Sequence, residues 1–366
     1  MTGLKVAAIH ARFGRHEVLR GVDLAVAPGE TLVLFGPSGA GKTVLLRAIA
    51  GLEPGALGQV VIDGQDVSAR GPEARNIGMA FQNFALYPHM SARDNIASPL
   101  VARGLQAGEI AARVAEIAKL LRIGHVLSHP PRALSNGQKQ RTALARALVG
   151  RPRVLLLDDP LRNVDAKLRY EMRLELPRLL RESQAATLYV TQDYREAMAL
   201  GDRVAVLRAG RIEQCDASET VYDRPATAAV ARLFGDPPVN LLACRPVADP
   251  AGLRAEAAGF RLVLDASAEA AGKECLLGLR PETLSLAAAG PDAARLEVIA
   301  TTPLHARLVV LLRAGDGTEI VASLLGAAPA PGTQVAVAAD AAAALLFDAA
   351  SGARIPARRV MAGKAA

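Results

Sequence analysis

Three short apolar runs mark candidate strands in the first part of the chain. They lie at 31–35 (TLVLF), 154–157 (VLLL) and 187–191 (TLYVT). Residues 44–50 and 166–182, which follow the first two runs, carry apolar side chains at helical spacing. Buried strands that alternate with helices are typical of a largely parallel sheet covered by helices. The pattern therefore predicts an α/β domain.

A helical insertion is predicted between the first and second of these strands. Ile110, Val114, Ile117 and Leu121 recur at spacings of three and four residues. This spacing places them on one face of a helix. We expect a helical subdomain at about 89–150.

The pattern changes near residue 235. A breaker cluster suits a domain boundary there, and it reads Gly235-Asp236-Pro237-Pro238. Beyond it, strand-like runs at 261–264, 276–279 and 307–312 precede a hairpin-type turn at 314–317. We expect one domain at 1–235 and a small all-β domain at 236–366.

Composition bounds the class of protein without choosing its function. The chain has 366 residues, of which 51% are hydrophobic and 22% charged. This balance allows two folded domains and leaves little room for disorder. There is no Trp, with 7 Phe and 5 Tyr, so few side chains could stack on single-stranded nucleic acid. The net charge of +7 suits any anionic ligand.

Cysteine spacing and the lengths of apolar runs predict a cytoplasmic protein. Cys215, Cys244 and Cys275 are too dispersed for a disulfide framework or a thiolate metal site. No apolar run approaches the roughly 18 residues of a membrane span, and no apolar signal region follows Met1. Any membrane role is therefore expected to depend on a partner.

A glycine-rich loop between the first strand and its helix fits the phosphate-loop pattern G-x-x-x-x-G-K-[ST]. It reads Gly36-Pro37-Ser38-Gly39-Ala40-Gly41-Lys42-Thr43. Glycines let backbone N–H groups turn inward around phosphates, and the following helix adds its positive N-terminus. Lys42 is expected to reach the β- and γ-phosphates of ATP, and the Thr43 hydroxyl to bind Mg²⁺. Asp158, which follows the second apolar run, is expected to hold the same ion through its water shell.

A second motif lies ahead of the Asp158 strand, and it reads Leu134-Ser135-Asn136-Gly137-Gln138-Lys139-Gln140-Arg141. It resembles the signature motif LSGGQ-x-QR of ATP-binding cassette (ABC) proteins. In that family the element faces ATP held by a second subunit. The resemblance therefore implies a head-to-tail dimer in which Ser135, Gly137 and Gln138 contact the partner's nucleotide. Ser135 is also a plain helix cap.

Further positions extend the resemblance over residues 13–235. Phe13 stands in the place of the adenine-stacking aromatic, Gln82 in that of the glutamine that senses metal and water, and Asp165 in that of the D-loop aspartate. Residues 81–90 resemble the segment that forms a groove for a membrane subunit. The resemblance implies two transmembrane permeases and, indirectly, a solute-binding protein as partners. It also places the chain peripherally on the inner face of the membrane.

The C-terminal region resembles the OB-like, TOBE-type domain of one importer subfamily, which serves maltose and other sugars, glycerol phosphate, polyamines or iron. The resemblance rests on Pro238-Val239-Asn240-Leu241-Leu242 and Gly278-Leu279-Arg280-Pro281-Glu282. Sugars, polyols and glycerol phosphate are the expected cargo, with polyamine or metal as alternatives. No residue of such a cytoplasmic ATPase subunit is expected to select the cargo.

Two catalytic positions depart from the family pattern. Asp159 replaces the Glu that polarises the attacking water, which retracts the carboxylate by on the order of 1.5 Å; a misplacement of about 1 Å can cost roughly a hundredfold in rate. Gln192 replaces the switch histidine, and an amide cannot become a cation or shuttle a proton. Asn136 in the signature and Arg162 in the D-loop also differ, and both are expected to face the opposite subunit.

These departures leave alternative functions open. One is a heterodimer in which this chain supplies a weakly hydrolysing site, and the other is a homodimer whose Asp159 and Gln192 support hydrolysis. A nucleic-acid-associated ABC ATPase is disfavoured, because such families usually carry two cassettes or a long coiled coil, and neither is found in this sequence. A soluble ATP-binding regulator without membrane subunits is a further class.

Overall fold

The computed structural model describes residues 3–162, 164–287, 293–304, 307–326 and 329–356. The chain forms two compact units, Met1–Glu219 and Thr220–Ala366. The second unit begins earlier than residue 236 because the guanidinium of Arg280 bonds the backbone carbonyls of Tyr222 and Phe234. The boundary after residue 235 stays a prediction of the sequence.

The first unit alternates strands and helices, as the apolar runs predict. Its strands are β1 (Leu4–Phe13), β2 (His16–Val26), β3 (Thr31–Phe35), β4 (Leu57–Ile62), β5 (Gln65–Asp66), β6 (Ile77–Ala80), β7 (Val154–Asp158), β8 (Ala186–Thr191), β9 (Arg203–Arg208) and β10 (Arg211–Ala217). Its helices are α1 (Lys42–Ala50), α2 (Ala92–Ala102), α3 (Ala107–Leu120), α4 (Asn136–Leu148), α5 (Ala166–Ser183) and α6 (Tyr194–Leu200), and α7 (Ser218–Asp223) spans the division between the units.

The main sheet positions the candidate residues. Its six strands run in the order β10-β9-β3-β8-β7-β6, and all neighbours are parallel except β10 with β9. β3, β7 and β8 are buried at every position. The glycine-rich loop follows β3, Asp158 ends β7, and Gln192 follows β8. Because carboxyl ends of parallel strands meet at one edge, these segments converge there.

A second, antiparallel sheet of the order β2-β1-β4-β5 was not predicted. Its inward side chains, such as Leu4 and Val60, share a core with β3, β8 and the apolar face of α1. Leu45, Leu46 and Ile49 of α1 are fully buried in this core. The helix that follows the glycine-rich loop is thereby fixed between two sheets.

The helical insertion contains α2, α3 and α4. On the predicted stripe of α3, Val114 is buried and Ile110 and Ile117 are half-buried; Leu121, just past the helix end, is buried. None of the helices in the described ranges is long and apolar enough to span a membrane.

In the second unit, α7 is followed by α8 (Ala228–Leu233). From residue 236 on, the described residues form strands and short single turns, which confirms the predicted all-β C-terminal region. The strands are β11 (Asn240–Cys244), β12 (Val247–Asp249), β13 (Gly252–Ala257), β14 (Phe260–Leu264), β15 (Cys275–Leu279), β16 (Leu284–Leu286), β17 (Ala294–Leu304), β18 (Arg307–Arg313), β19 (Glu319–Leu324), β20 (Gln334–Ala339) and β21 (Leu345–Asp348). They form antiparallel sheets of the order β11-β15-β21, β12-β13-β14 and β16-β20-β17-β18-β19. The predicted turn at 314–317 joins β18 to its partner β19.

Candidate functional site

The glycine-rich loop is closed by its own lysine. Lys42 Nζ donates to the carbonyl oxygens of Gly36 at 2.7 Å and Pro37 at 2.8 Å. A Cβ at Gly36 would lie 2.1 Å from the Leu207 carbonyl oxygen, so only glycine fits at that position. Burial lowers the pKa of Lys42, while the nearby carboxylates of Asp159 and Asp158 oppose this effect. A cationic donor is thus held where phosphates would enter.

A cleft of about 190 Å³ lies between the loop and the strand ends. It brings together most of the predicted chemistry from four separate segments. Its lining residues are Val18, Gly39, Gly41, Lys42, Thr43, Val44, Gln82, Asp158, Asp159, Val190 and Gln192. The hydrophobic members Val18, Val44 and Val190 were not predicted, because a single valine in a strand or a helix carries no signal for a ligand.

Thr43 and Asp158 form the oxygen pair suited to a hard cation. Thr43 Oγ1 donates to Asp158 Oδ1 at 3.1 Å. Burial raises the pKa of Asp158, against the opposing effects of the Thr43 bond and of Lys42. In the described ranges no cluster of three or more His, Cys, Asp or Glu could hold a metal alone. This donor set fits Mg²⁺, which usually takes one or two protein oxygens and completes its shell with phosphates and water.

Asp159 is placed by its backbone. Its φ of 44° lies in the left-handed region, which Asp tolerates better than most residues, and its N–H donates to Val190 O at 2.9 Å. Its Oδ2 lies 3.8 Å from Arg162 Nη1. Burial raises the pKa of Asp159, and Arg162 acts against this. The carboxylate at the position of the expected catalytic base therefore lies in the cleft and beside a positive charge of its own chain.

Gln192 faces the loop from the carboxyl end of the neighbouring parallel strand, β8. Its Oε1 accepts from Ser38 Oγ at 2.9 Å. This bond links the phosphate loop to the position of the switch residue, and no local sequence signal predicts it because 154 residues separate the two side chains. A phosphate oxygen would instead be bonded by the Nε2 amide group of Gln192, which is the donor of this side chain.

The other predicted nucleotide contacts lie outside this cleft. Phe13, at the end of β1, is 48% exposed. Ser135, Gly137 and Gln138 form the first turn of α4, where Ser135 Oγ accepts from Gln138 N at 3.3 Å and Gln138 Oε1 accepts from Ser135 N at 2.9 Å. This capping box satisfies two backbone donors of the helix start. The signature residues are thus ordered, away from the cleft of their own chain.

A second cavity, of about 510 Å³, borders the helical insertion. Phe81, Ala85 and Tyr87 line it, together with Arg146 of α4. Arg146 donates to Ala85 O at 2.8 Å and to Phe84 O at 3.1 Å, and its guanidinium lies 5.3 Å from the Tyr87 ring centroid. Phe84 and Ala85 both have positive φ, at 61° and 48°. A conformation rare for such residues is therefore held in place by one half-buried arginine.

Sequence reasoning missed a polar network around Gln192. Its members are Arg173 of α5 and Asp193 and Glu196 at the start of α6. The spacing of Arg169 and Arg173, four residues apart on one helix, was visible in the sequence. Their partners lie on other elements, so the spacing alone did not identify their role.

The fold and the cleft define a phosphate-loop nucleotide-binding protein. The family model described as ABC transporter matches residues 19–162, and the model described as TOBE domain matches residues 277–347. Relatives include the sn-glycerol-3-phosphate import ATP-binding protein UgpC of Cereibacter sphaeroides, which is 44% identical over 97% of this chain and 100% of that protein. The protein of the same name from Chromobacterium violaceum is 43% identical over 97% of this chain and 96% of that protein.

Solved structures agree with this assignment. The dimeric ATP-binding cassette MJ0796, in a post-hydrolysis state with ADP and Pi, is 29% identical and has a TM-score of 0.54. The match covers 59% of this chain and 98% of that chain. The chain belongs to the ABC transporter family, in the ATPase subfamily that includes the ATP-binding subunits of sugar and glycerol-phosphate importers. The predictions of an ABC-type ATPase and of its two-part α/β and OB-like fold are confirmed.

Proposed function

We propose that this chain energises the import of a small phosphorylated polyol or sugar, with sn-glycerol 3-phosphate as the leading cargo. The observation that carries the proposal is the cleft that joins Lys42, Thr43 and Asp158 to the altered pair Asp159 and Gln192. The cargo rests on the printed names of the relatives, which match this chain along nearly its whole length.

Within this proposal, Mg²⁺ accompanies the nucleotide. Thr43 and Asp158 supply a hydroxyl and a carboxylate oxygen, and Gln82 lines the same cleft. The ion would neutralise charge on the β- and γ-phosphates. Lys42 would exchange its two loop carbonyls for phosphate oxygens.

The second cavity is the proposed docking groove for a helix of a membrane permease. Its position on residues 81–90 matches the segment that the sequence associates with a membrane subunit. The strained backbone at Phe84 and Ala85, held by Arg146, supports a role beyond simple packing. Two permeases and a solute-binding protein would complete the importer, and the chain would lie on the inner face of the membrane.

The chain is proposed as the weakly hydrolysing half of a heterodimer. A shorter carboxylate at Asp159 and a non-titrating amide at Gln192 alter both groups that act on the attacking water and the γ-phosphate. In a homodimer both composite sites would carry these changes, together with Asn136 and Arg162. A partner ATPase with Glu and His would supply the faster site.

A homodimer that hydrolyses ATP at both sites is the second candidate. The Asp159 carboxylate still lines the cleft, and Gln192 keeps a hydrogen-bonding oxygen 2.9 Å from Ser38. Polyamine or iron remains an alternative cargo for either assembly.

Subunit composition tests the heterodimer. The transporter is purified from native membranes through a tag on this chain, and the intact masses of its ATPase subunits are measured. Two different ATPase masses in equal amounts are expected. One mass, present twice per pair of permeases, would establish the homodimer instead.

Uptake tests the cargo. Cells that lack the gene for this chain should lose uptake of radiolabelled sn-glycerol 3-phosphate and regain it with the native chain. The Lys42→Ala variant should not restore it. Uptake that is independent of this chain would exclude this cargo.

A further inference from the structure

Helix α5 carries two half-buried arginines, one of which bonds the loop after Asp159 and the other the turn after Gln192. Arg169 and Arg173 are four residues apart and therefore lie on one face of the helix. The helix itself begins directly after the loop that contains Asp159 and Arg162.

Arg169 holds the backbone of that loop. Its Nη2 donates to the carbonyl oxygens of Arg162 at 3.3 Å and Val164 at 3.1 Å. This loop is the one whose Arg162 is expected to face the opposite subunit. Its course is thus tied to the first turn of α5.

Arg173 holds the turn that contains Gln192. Its Nη2 donates to Asp193 Oδ2 at 2.6 Å and lies 3.8 Å from Glu196 Oε1. The other oxygen of Asp193 caps α6 by accepting from Arg195 N at 2.8 Å. The residue directly after Gln192 is therefore bonded to α5 and α6 together.

The strand side of the same turn is tied to the same network. Glu196 Oε2 accepts from Thr191 Oγ1 at 2.9 Å and from Tyr189 OH at 3.0 Å. Thr191 Oγ1 in turn accepts from Asp193 N at 3.1 Å. Both neighbours of Gln192 in the sequence are thus fixed, and its side chain points to Ser38.

Stability alone accounts poorly for this cluster. The side chains of Arg173 and Glu196 are only 19% and 3% exposed. Buried ion pairs cost desolvation energy, and apolar residues of similar size often stabilise a fold equally well. A planar guanidinium that spans two carboxylates does, however, define a geometry.

We infer that Arg173 is a positioning residue that sets Gln192 toward the γ-phosphate, and that α5 links this residue to the loop offered to the opposite subunit. The inference rests on the proposed role of Gln192. Through Arg169 and Arg173, a displacement of the loop by a partner subunit would be transmitted to the switch position of this chain.

The test uses the full-length chain with Arg173→Met, and with Arg178→Met as the matched control. Arg178 lies on the same helix, and its side chain is 73% exposed. Its Nε lies 3.4 Å from Glu182 Oε1. Each change is made in the native chain and in Gln192→Ala. Single-turnover hydrolysis of radiolabelled Mg-ATP, with the chain in excess and followed for hours, is measured beside the Kd for ADP and the Tm.

Arg173→Met should slow hydrolysis about tenfold to a hundredfold, because a misplacement of about 1 Å has an effect of this order. The Kd for ADP should not change, because ADP lacks the γ-phosphate. In Gln192→Ala the same change should cause no additional loss, since the two residues act through one interaction. Arg178→Met should stay within about twofold in both backgrounds.

A milder variant guards against misfolding of Arg173→Met. Asp193→Asn keeps an oxygen that can cap α6 but removes the carboxylate that Arg173 binds, and it should slow hydrolysis in the same way. Equal losses in both backgrounds, or no loss in the native one, would overturn the inference. If Gln192→Ala itself left hydrolysis unchanged, the proposed role of Gln192 would fail first, and the inference with it.

Discussion

At the scale of single residues, the cleft gathers buried charges of both signs, as a phosphate bound together with a cation would require. Lys42 is buried, and it is held by the carbonyls of Gly36 and Pro37. Asp158 and Asp159 are both buried, and burial raises the pKa of each. Phosphate would neutralise the charge of Lys42, and Mg²⁺ would neutralise the carboxylates. Binding of either ligand would therefore lower the free-energy cost of binding the other.

Removal of the metal tests the Thr43 and Asp158 pair. Chelation of Mg²⁺ should weaken binding of ATP to the native chain, whereas Asp158→Asn should bind ATP weakly with or without the ion. We expect a loss of about tenfold or more, since a hydrogen bond to a charged group is worth about 1.5–3 kcal/mol. Titration calorimetry with and without a chelator measures it. Full Mg²⁺ dependence in Asp158→Asn would contradict the assigned ligand.

Glu196 gives a prediction about pH. Burial raises its pKa above the ordinary 4.5, although the bonds from Thr191 and Tyr189 and the charge of Arg173 oppose this. The unfolded chain therefore releases this proton at lower pH than the native chain, so ionisation favours unfolding. The contribution of Glu196 to stability is present below about pH 4.5 and declines as pH rises through its raised pKa.

Thermal unfolding of Glu196→Gln checks this sign. The Tm of the native chain, relative to that of the variant, should fall as pH rises from about 4 to about 8. Glu182→Gln is the control, because that side chain is 48% exposed on the same helix as Arg173. A Tm difference that is constant, or that grows in favour of the native chain with pH, would contradict the prediction.

At the scale of elements, one buried arginine organises the start of the second unit. Arg280 is 5% exposed, donates to Phe234 O at 3.0 Å and to Tyr222 O, and lies 3.7 Å from the Tyr222 ring centroid. Both of these carbonyls would lose the bond from the guanidinium without it. Residues 220–235 are therefore attached to the β-rich unit by side-chain chemistry.

Arg280→Met should destabilise the second unit by about 2–4 kcal/mol, because it removes two hydrogen bonds donated by a buried guanidinium and a cation–π contact. Urea unfolding measures the loss. Arg261→Met, whose side chain is 52% exposed in an ion pair with Glu256, should stay within about 0.5 kcal/mol of the native chain. Equal effects of the two changes would show that burial of Arg280 contributes little.

Sequence patterns predicted the elements whose signals are local. β3 coincides with its apolar run, β7 and β8 each extend one residue beyond theirs, and the glycine-rich loop lies where the strand–loop–helix pattern requires. β1 was missed because its register against β2 and β4 shifts near Ala8, which has a positive φ of 49°. Such bulges interrupt the alternation that identifies a strand.

The residues of the site that belong to a sequence motif were predicted. The contacts that depend on the tertiary structure were missed. The phosphate loop, Asp158 and the departures at Asp159 and Gln192 were read from the sequence. The bond from Ser38 to Gln192 and the bond from Arg173 to Asp193 join segments that only the fold brings together. Local sequence patterns cannot identify such pairs, because the two side chains are far apart along the chain.

At the scale of the whole molecule, the proposed function combines an intact set of ATP- and Mg²⁺-binding residues with two changed positions, Asp159 and Gln192, in the same cleft. The capping box of Ser135 fixes the start of the signature helix, and Ser135, Gly137 and Gln138 do not line the cleft of their own chain, as a sandwich dimer would require. Asn136 begins that helix and adds a side chain that the family usually lacks there. A partner subunit would therefore contact changed residues on this chain while supplying its own catalytic pair.

Steady-state ATP hydrolysis tests the central claim most directly. The purified native chain is compared with the double variant Asp159→Glu/Gln192→His, with thermal unfolding to confirm that Glu is tolerated at the left-handed position. We predict slow hydrolysis by the native chain and a gain of at least about tenfold in the double variant, because the carboxylate is extended and a proton-accepting ring is restored. Native turnover on the order of 1 s⁻¹ or faster, with no gain in the double variant, would contradict a weakly hydrolysing subunit.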